Sequence, residues 1–133
     1  MEIGTKGARE ITVTEDMCAS KAGKGLPPVL STPNLISNME GTCLDSVMPF
    51  LEEGQATVGA KVDITHMAAT PVGMKVFFES ELLEAEGAKL VFSVTARDEV
   101  ETVGKGTHVR FIIDQKGFIE NLAKSKNSYF HLK

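Results

Sequence analysis

Three side chains able to do acid–base chemistry stand among neighbours that are apolar or structural: Thr32, Glu40 and His66. His66 comes near the end of an alternating run in the stretch "DITHMAATPVG". Val58, Ala60, Val62 and Ile64 share one face of that run and Gly59, Lys61, Asp63 and Thr65 the other, so parity puts His66 on the apolar side. Ile36, Glu40, Cys43 and Val47 recur at i, i+4, i+7 and i+11, which places a carboxylate where a methyl group is expected. A buried carboxylate is costly unless it finds partners or shifts its pKa. An acid on a helix and an imidazole on a strand, aimed at one interior, make an acid–base pair. Thr32, two helical turns ahead of Glu40, adds a hydroxyl. Each residue also has a structural explanation. Thr32 before Pro33 is a helix cap, a lone histidine late in a strand is commonly a satisfied packing group, and Glu40 could lie at the rim of the apolar face with its head in water. Periodicity alone does not choose between the two.

The elements that must position these groups follow from the same patterns. "REITVTE", residues 9–15, alternates as a first strand. "SKAGKGLPPVLSTPN" carries two glycines and three prolines and reads as a loop. Thr32 as cap and Pro33 in the first helical position start a helix expected to run to Glu52, ahead of Gly54. Its apolar residues, among them Leu35, Ile36, Met39, Leu44 and Met48, cover more than one stripe, so something should wrap it. A strand over 55–67 follows. "TPVG" then places Pro71 and Gly73 second and fourth in a type I turn. "GMKVFFESELLEAEG", "KLVFSVTARDE" and "VGKGTHVRFIID" supply three more strands, with hairpins at Gly87 and around Asp98 to Glu101. After Asp114, the spacing of Phe118, Ile119 and Leu122 predicts a short helix and then a tail. One strand, one long apolar helix and four consecutive antiparallel strands predict an α+β chain with the helix on the concave side of a curved antiparallel sheet of about five strands, the architecture called a hot dog. Open sheet edges predict a homodimer.

The whole chain bounds the function. Its 133 residues predict a single domain over 1–133, and 42% apolar with 24% charged residues argue against disorder. A net charge of −4, with scattered Lys and Arg, gives no footprint for nucleic acid. No apolar run approaches the ~20 residues of a membrane span and no signal-peptide layout opens the chain, so a cytoplasmic location without membrane attachment is expected. Cys18 and Cys43 have neither CxxC spacing nor disulfide-scaffold density and read as reduced thiols. His66, His108 and His131 show no HxH or HExxH spacing, so no metal is expected.

The ordered set "STPNLISNME", "VGAKVDITHMAATPVG" and "GKGTHVRFII" resembles the fluoroacetyl-CoA thioesterase-like family of hot-dog enzymes, over roughly Leu30 to Ile113. The resemblance implies a catalytic set of Thr32, Glu40 and His66, with Gly59 beside the acyl group and Arg110 as a further substrate contact. It implies hydrolysis of a small acyl-CoA thioester to the free acid and coenzyme A, the coenzyme being part of the substrate and no other cofactor being needed. Glu40 would attack the carbonyl or activate water, His66 would handle protons, and Thr32 would position the carboxylate or the substrate. Gly59 is equally readable as a strand bulge, and Arg110 as a contact to a coenzyme A phosphate or a solvated strand residue. A hot-dog acyl-thioester hydratase or dehydratase and a non-catalytic acyl-CoA binding module are the alternative readings. The chain departs from the family in one respect. The fluoroacetyl-specific member is credited with an aromatic gate before the helix, whereas this chain has no Phe, Tyr or Trp before Phe50, so fluoroacetyl-CoA is not the expected substrate.

Overall fold

The computed structural model describes residues 1–130. Strand β1 (Lys6–Thr12) leads through a long loop to helix α1 (Thr32–Val47), followed by β2 (Gln55–His66), β3 (Lys75–Glu86), β4 (Lys89–Asp98), β5 (Thr102–Asp114) and helix α2 (Gln115–Phe130). The five strands form one antiparallel sheet in the order β1-β3-β4-β5-β2, so β1 and β2 are its edges. This is the hot-dog arrangement: the sheet curves around α1, which touches all five strands.

Period does the sorting. Leu35, Met39, Cys43 and Val47 recur every fourth residue and line the buried side of α1. Against them pack alternate residues of β3 (Val76, Phe78, Leu82) and β4 (Leu90, Phe92, Val94, Ala96), all at most 1% exposed. Truncating Phe78 or Phe92 would cost about 3–5 kcal/mol, since neither cavity could collapse in so dense a layer.

Several boundaries differ from the sequence expectation. The first strand begins three residues earlier, at Lys6, and ends at Thr12, with Val13 buried beyond it and bonded to Met74 and Gly73. Helix α1 stops at Val47 rather than Glu52, because Pro49 brings no N–H for the helical ladder; Met48–Phe50 tighten into a 3₁₀ turn. Met48 and Phe50 are consequently exposed, and the wrapping of the helix is confined to its inner face. The turn after β2 lies one residue further on. Met74 N–H donates to Pro71 C=O at 3.3 Å and Gly73, with φ +92°, is third in the turn, the geometry of type II rather than type I. The C-terminal helix is not short: α2 runs 16 residues. Its Phe118, Ile119 and Leu122 are exposed. The end of the expected tail, from residue 131, lies outside the described residues.

Candidate active site

The capping group of α1 is Ser31, whose hydroxyl accepts from Asn34 N–H at 3.2 Å, and not Thr32 as expected. Relieved of capping, Thr32 places its Oγ1 2.7 Å from His66 Nδ1. His66 is the last residue of β2, paired with Gly104, and the chain beyond it is tied down at once. Met67 N–H donates to Val103 C=O at 2.7 Å, Leu30 N–H donates to Thr70 C=O at 2.9 Å, and the Thr70 hydroxyl donates to the buried Asp98 at 3.0 Å. The Thr32 loop and the His66 loop are thus stitched together from both sides. Burial pushes the His66 imidazole below its ordinary range, a backbone contact with Ala68 only partly opposing it. Its Nε2 is buried with no hydrogen-bond partner among the described residues.

Glu40 belongs to a second cluster, built on an irregularity in β2. The β2–β5 register breaks between Gly59 and Lys61, leaving Ala60 unpaired, a β-bulge. The extra residue reverses the parity of the strand. Ahead of the bulge, Thr57 is buried and Gly59 faces α1; beyond it, Ile64 and His66 turn inward. The expected single apolar face of Val58, Ala60, Val62 and Ile64 is therefore corrected: Ala60 is exposed and Val62 is 38% exposed. A Cβ at Gly59 would lie 3.0 Å from Glu40 Oε2, 3.3 Å from Arg110 Nη1 and 3.4 Å from His108 Cε1. The missing side chain leaves a small space bounded by a carboxylate, a guanidinium and an imidazole.

Arg110 is not a solvated strand residue. It is 6% exposed, donates from Nε to Thr57 Oγ1 at 2.8 Å and from Nη2 to Thr57 C=O at 2.9 Å, and sets Nη1 3.9 Å from Glu40 Oε2. A guanidinium so placed faces the carboxylate rather than the solvent from which a coenzyme A phosphate would approach. Burial lowers its pKa and the Glu40 carboxylate partly opposes this; the guanidinium stays charged, and the acid beside it offsets part of the cost of burying that charge. Glu40 itself sits at the rim of the buried stripe, its side chain 39% exposed. Cys43 lies one turn on, its thiol pushed up to about 12 by burial, against the lowering effect of Arg110 and Ser80; it stays protonated at neutral pH and offers no rival nucleophile.

The structure thus joins Thr32 to His66, and Glu40 to Gly59 and Arg110, but holds the two groups apart within one chain. Thr32 and Glu40 are eight residues apart on α1, about 12 Å along the axis. Gly59 and His66 are seven apart on β2, roughly 20 Å. Among the described residues no hydrogen bond joins Glu40 to His66. Sequence reasoning missed Thr57 and His108 as members of the second cluster. The signal for His108 was present in "GTHVR": residues two apart on a strand share a face, so His108 goes wherever Arg110 goes.

A family model for fluoroacetyl-CoA-specific thioesterases, FlK, matches residues 13–116. The fluoroacetyl-CoA thioesterase of Streptantibioticus cattleyicolor is 38% identical over 92 residues, a match covering 69% of this chain and 66% of that protein's length. A solved structure of a FlK variant in complex with fluoroacetate and CoA superposes with a TM-score of 0.82 at 31% identity, over 89% of this chain and 99% of the other. A thioesterase superfamily member from Thermus thermophilus superposes with a TM-score of 0.88 at 25% identity, over 99% of this chain and 97% of the other. With the family model covering most of the chain and the fold shared throughout, this protein belongs to the fluoroacetyl-CoA-specific thioesterase family of hot-dog thioester hydrolases.

Proposed function

We propose that the protein hydrolyses a small acyl-CoA thioester, with Glu40 as the residue that carries the reaction. The observation behind this reading is the surroundings of Gly59, where the Glu40 carboxylate, 3.9 Å from a buried arginine, stands so close that even a Cβ would be crowded. The absence of a side chain at this position keeps the approach of a thioester carbonyl to Glu40 clear. Glu40 attacks the carbonyl carbon or takes a proton from an attacking water. By either route one water is consumed, the C–S bond breaks, and the departing thiolate receives a proton through the imidazole of His66, which Thr32 orients. Gly59 makes room for the acyl group, and Arg110 acts on the substrate through the carboxylate it holds.

The separation of the two clusters favours a site shared between two copies of the chain. Strand β2 is an open sheet edge with Val62 partly exposed on it. Two such edges paired antiparallel across a two-fold axis bring the His66 end of one against the Gly59 end of the other. The Thr32–His66 pair of one copy would then stand near the partner subunit's Glu40. A cytoplasmic place of action accords with Cys18 and Cys43, both free and buried. Among the described residues no helix is long and apolar enough to cross a membrane.

The test is a panel of acyl-CoAs differing in chain length and α-substituent, followed by thiol release and, for enoyl thioesters, by loss of the enoyl absorbance. Thiol release from the shortest members is the expected result. Glu40→Gln should lower kcat by about 10²-fold or more, the scale of lost acid–base or nucleophilic action. Loss of enoyl absorbance without thiol would make the protein a hydratase. Binding without turnover would make it a carrier module.

A further inference from the structure

The second cluster contains a buried imidazole for which the proposed reaction has no use. His108 is 1% exposed, its ring stacked near Phe92 with centroids 6.4 Å apart. Nδ1 lies 2.8 Å from the Lys61 carbonyl, on the far side of the β2 bulge, and Nε2 lies 3.2 Å from Arg110 Nη1. Both partners have fixed roles. A carbonyl oxygen only accepts and a guanidinium only donates, so Nδ1 must carry the proton and Nε2 must offer its lone pair. The hydrogen bonds therefore run one way, from Arg110 to His108 and from His108 to Lys61.

This ring spans two features that the site needs. Lys61 closes the bulge that turns Gly59 toward α1, and Arg110 is the cation beside Glu40. Thr57 fixes the guanidinium through Nε and Nη2, which leaves Nη1 as the arm reaching Glu40; His108 is what aims that arm. The charged groups facing the ring are Arg110 from β5 and Glu40 from α1; burial, with the Arg110 cation, pushes the imidazole below its ordinary range against the opposing Lys61 carbonyl and Glu40.

We infer that His108 is a positioning residue: as the neutral imidazole protonated on Nδ1, it ties the β2 bulge to Arg110 and so sets how Glu40 meets the space over Gly59. The inference rests on Glu40 being the acting group, but its first test does not. In protein labelled with ¹⁵N-histidine, long-range ¹H–¹⁵N spectra at neutral pH report which ring nitrogen bears the proton. A proton on Nδ1 alone is expected. A proton on Nε2, or on both nitrogens, overturns the inference.

The second test separates positioning from packing. His108→Leu removes both bonds, and kcat per folded molecule should fall by about 10- to 100-fold with KM within roughly threefold, the cost of misplacing a reacting group by about an ångström. In His108→Gln the amide oxygen reaches the place of Nε2 and accepts from Arg110, so most of the turnover should return. In His108→Asn the amide reaches only the place of Nδ1, and turnover should stay low. Folded protein in each variant is measured by circular dichroism and thermal melting. Turnover that follows the folded fraction alike in all three makes His108 a packing residue and overturns the inference. Should Glu40→Gln keep full activity while Nδ1 carries the proton, the functional reading fails and the architecture of the cluster stands.

Discussion

His66 and His108 are both held below the ordinary imidazole value, in each case chiefly by burial. That shared direction fixes how stability must vary with pH. As pH falls through about 6.5, the unfolded chain takes up protons at these positions and the folded chain does not. Their contribution is complete above that value and is lost progressively below it, at up to ~1.4 kcal/mol per pH unit for each group while only the unfolded form is protonated. Urea unfolding should therefore show a midpoint that drops between about pH 7.5 and 5.5, above the range where carboxylates titrate. His66→Asn should shallow the drop; a midpoint flat across this interval would contradict the burial argument for both rings. The same lowering favours the uncharged ring, the form able to accept a proton.

Among the elements, those with a strong period were legible in the sequence. Strand β4 and the first part of β3 alternate cleanly, Gly87 and the Asp98 turn punctuate the strands, and the apolar positions of α1 predict its buried side. What stayed hidden depends on contacts between distant segments. Nothing local in "VGAKVDITH" marks Ala60 as the residue that β5 leaves unpaired, and by uniform alternation His66 lands on the correct face while Val58 and Ala60 do not. Ser31 and Thr32 are both good capping residues, and only the position of His66 shows why the second is left over. Thr32, Glu40 and His66 were visible as candidates from type and position, but their distances were not, since the length of a helix and a strand separates them. The bulge yields a prediction at this scale. Deleting Ala60 would let β2 pair with β5 without interruption, so the sheet should survive, but one end of the strand must then turn over by half a pleat. Either Thr57 and Gly59 or Ile64 and His66 would leave the interior. The variant should unfold cooperatively, by denaturant titration with a native-like slope, and yet have lost nearly all thioesterase activity.

At the scale of the whole molecule the question is whether one chain suffices. A site drawing Glu40 from one subunit and His66 from the other makes a prediction that a self-contained site does not. Glu40→Gln and His66→Asn should each be inactive as homodimers. Unfolded together and refolded as a mixture, half of the dimers pair one of each, and every such dimer holds one intact site and one doubly damaged site. About a quarter of the wild-type activity should return, the fraction set by two-fold symmetry and random pairing. If each chain held its own site, the mixture would remain as inactive as its parts. If two copies pair along it, the open β2 edge would carry a kinetic meaning beyond the sheet. An enzyme assembled from two halves works in proportion to its dimers, so below the dissociation constant of the pair its rate rises with the square of its own concentration. With a shared site, abundance in that range would control turnover, and halving the protein below that constant would remove more than half of its hydrolysis.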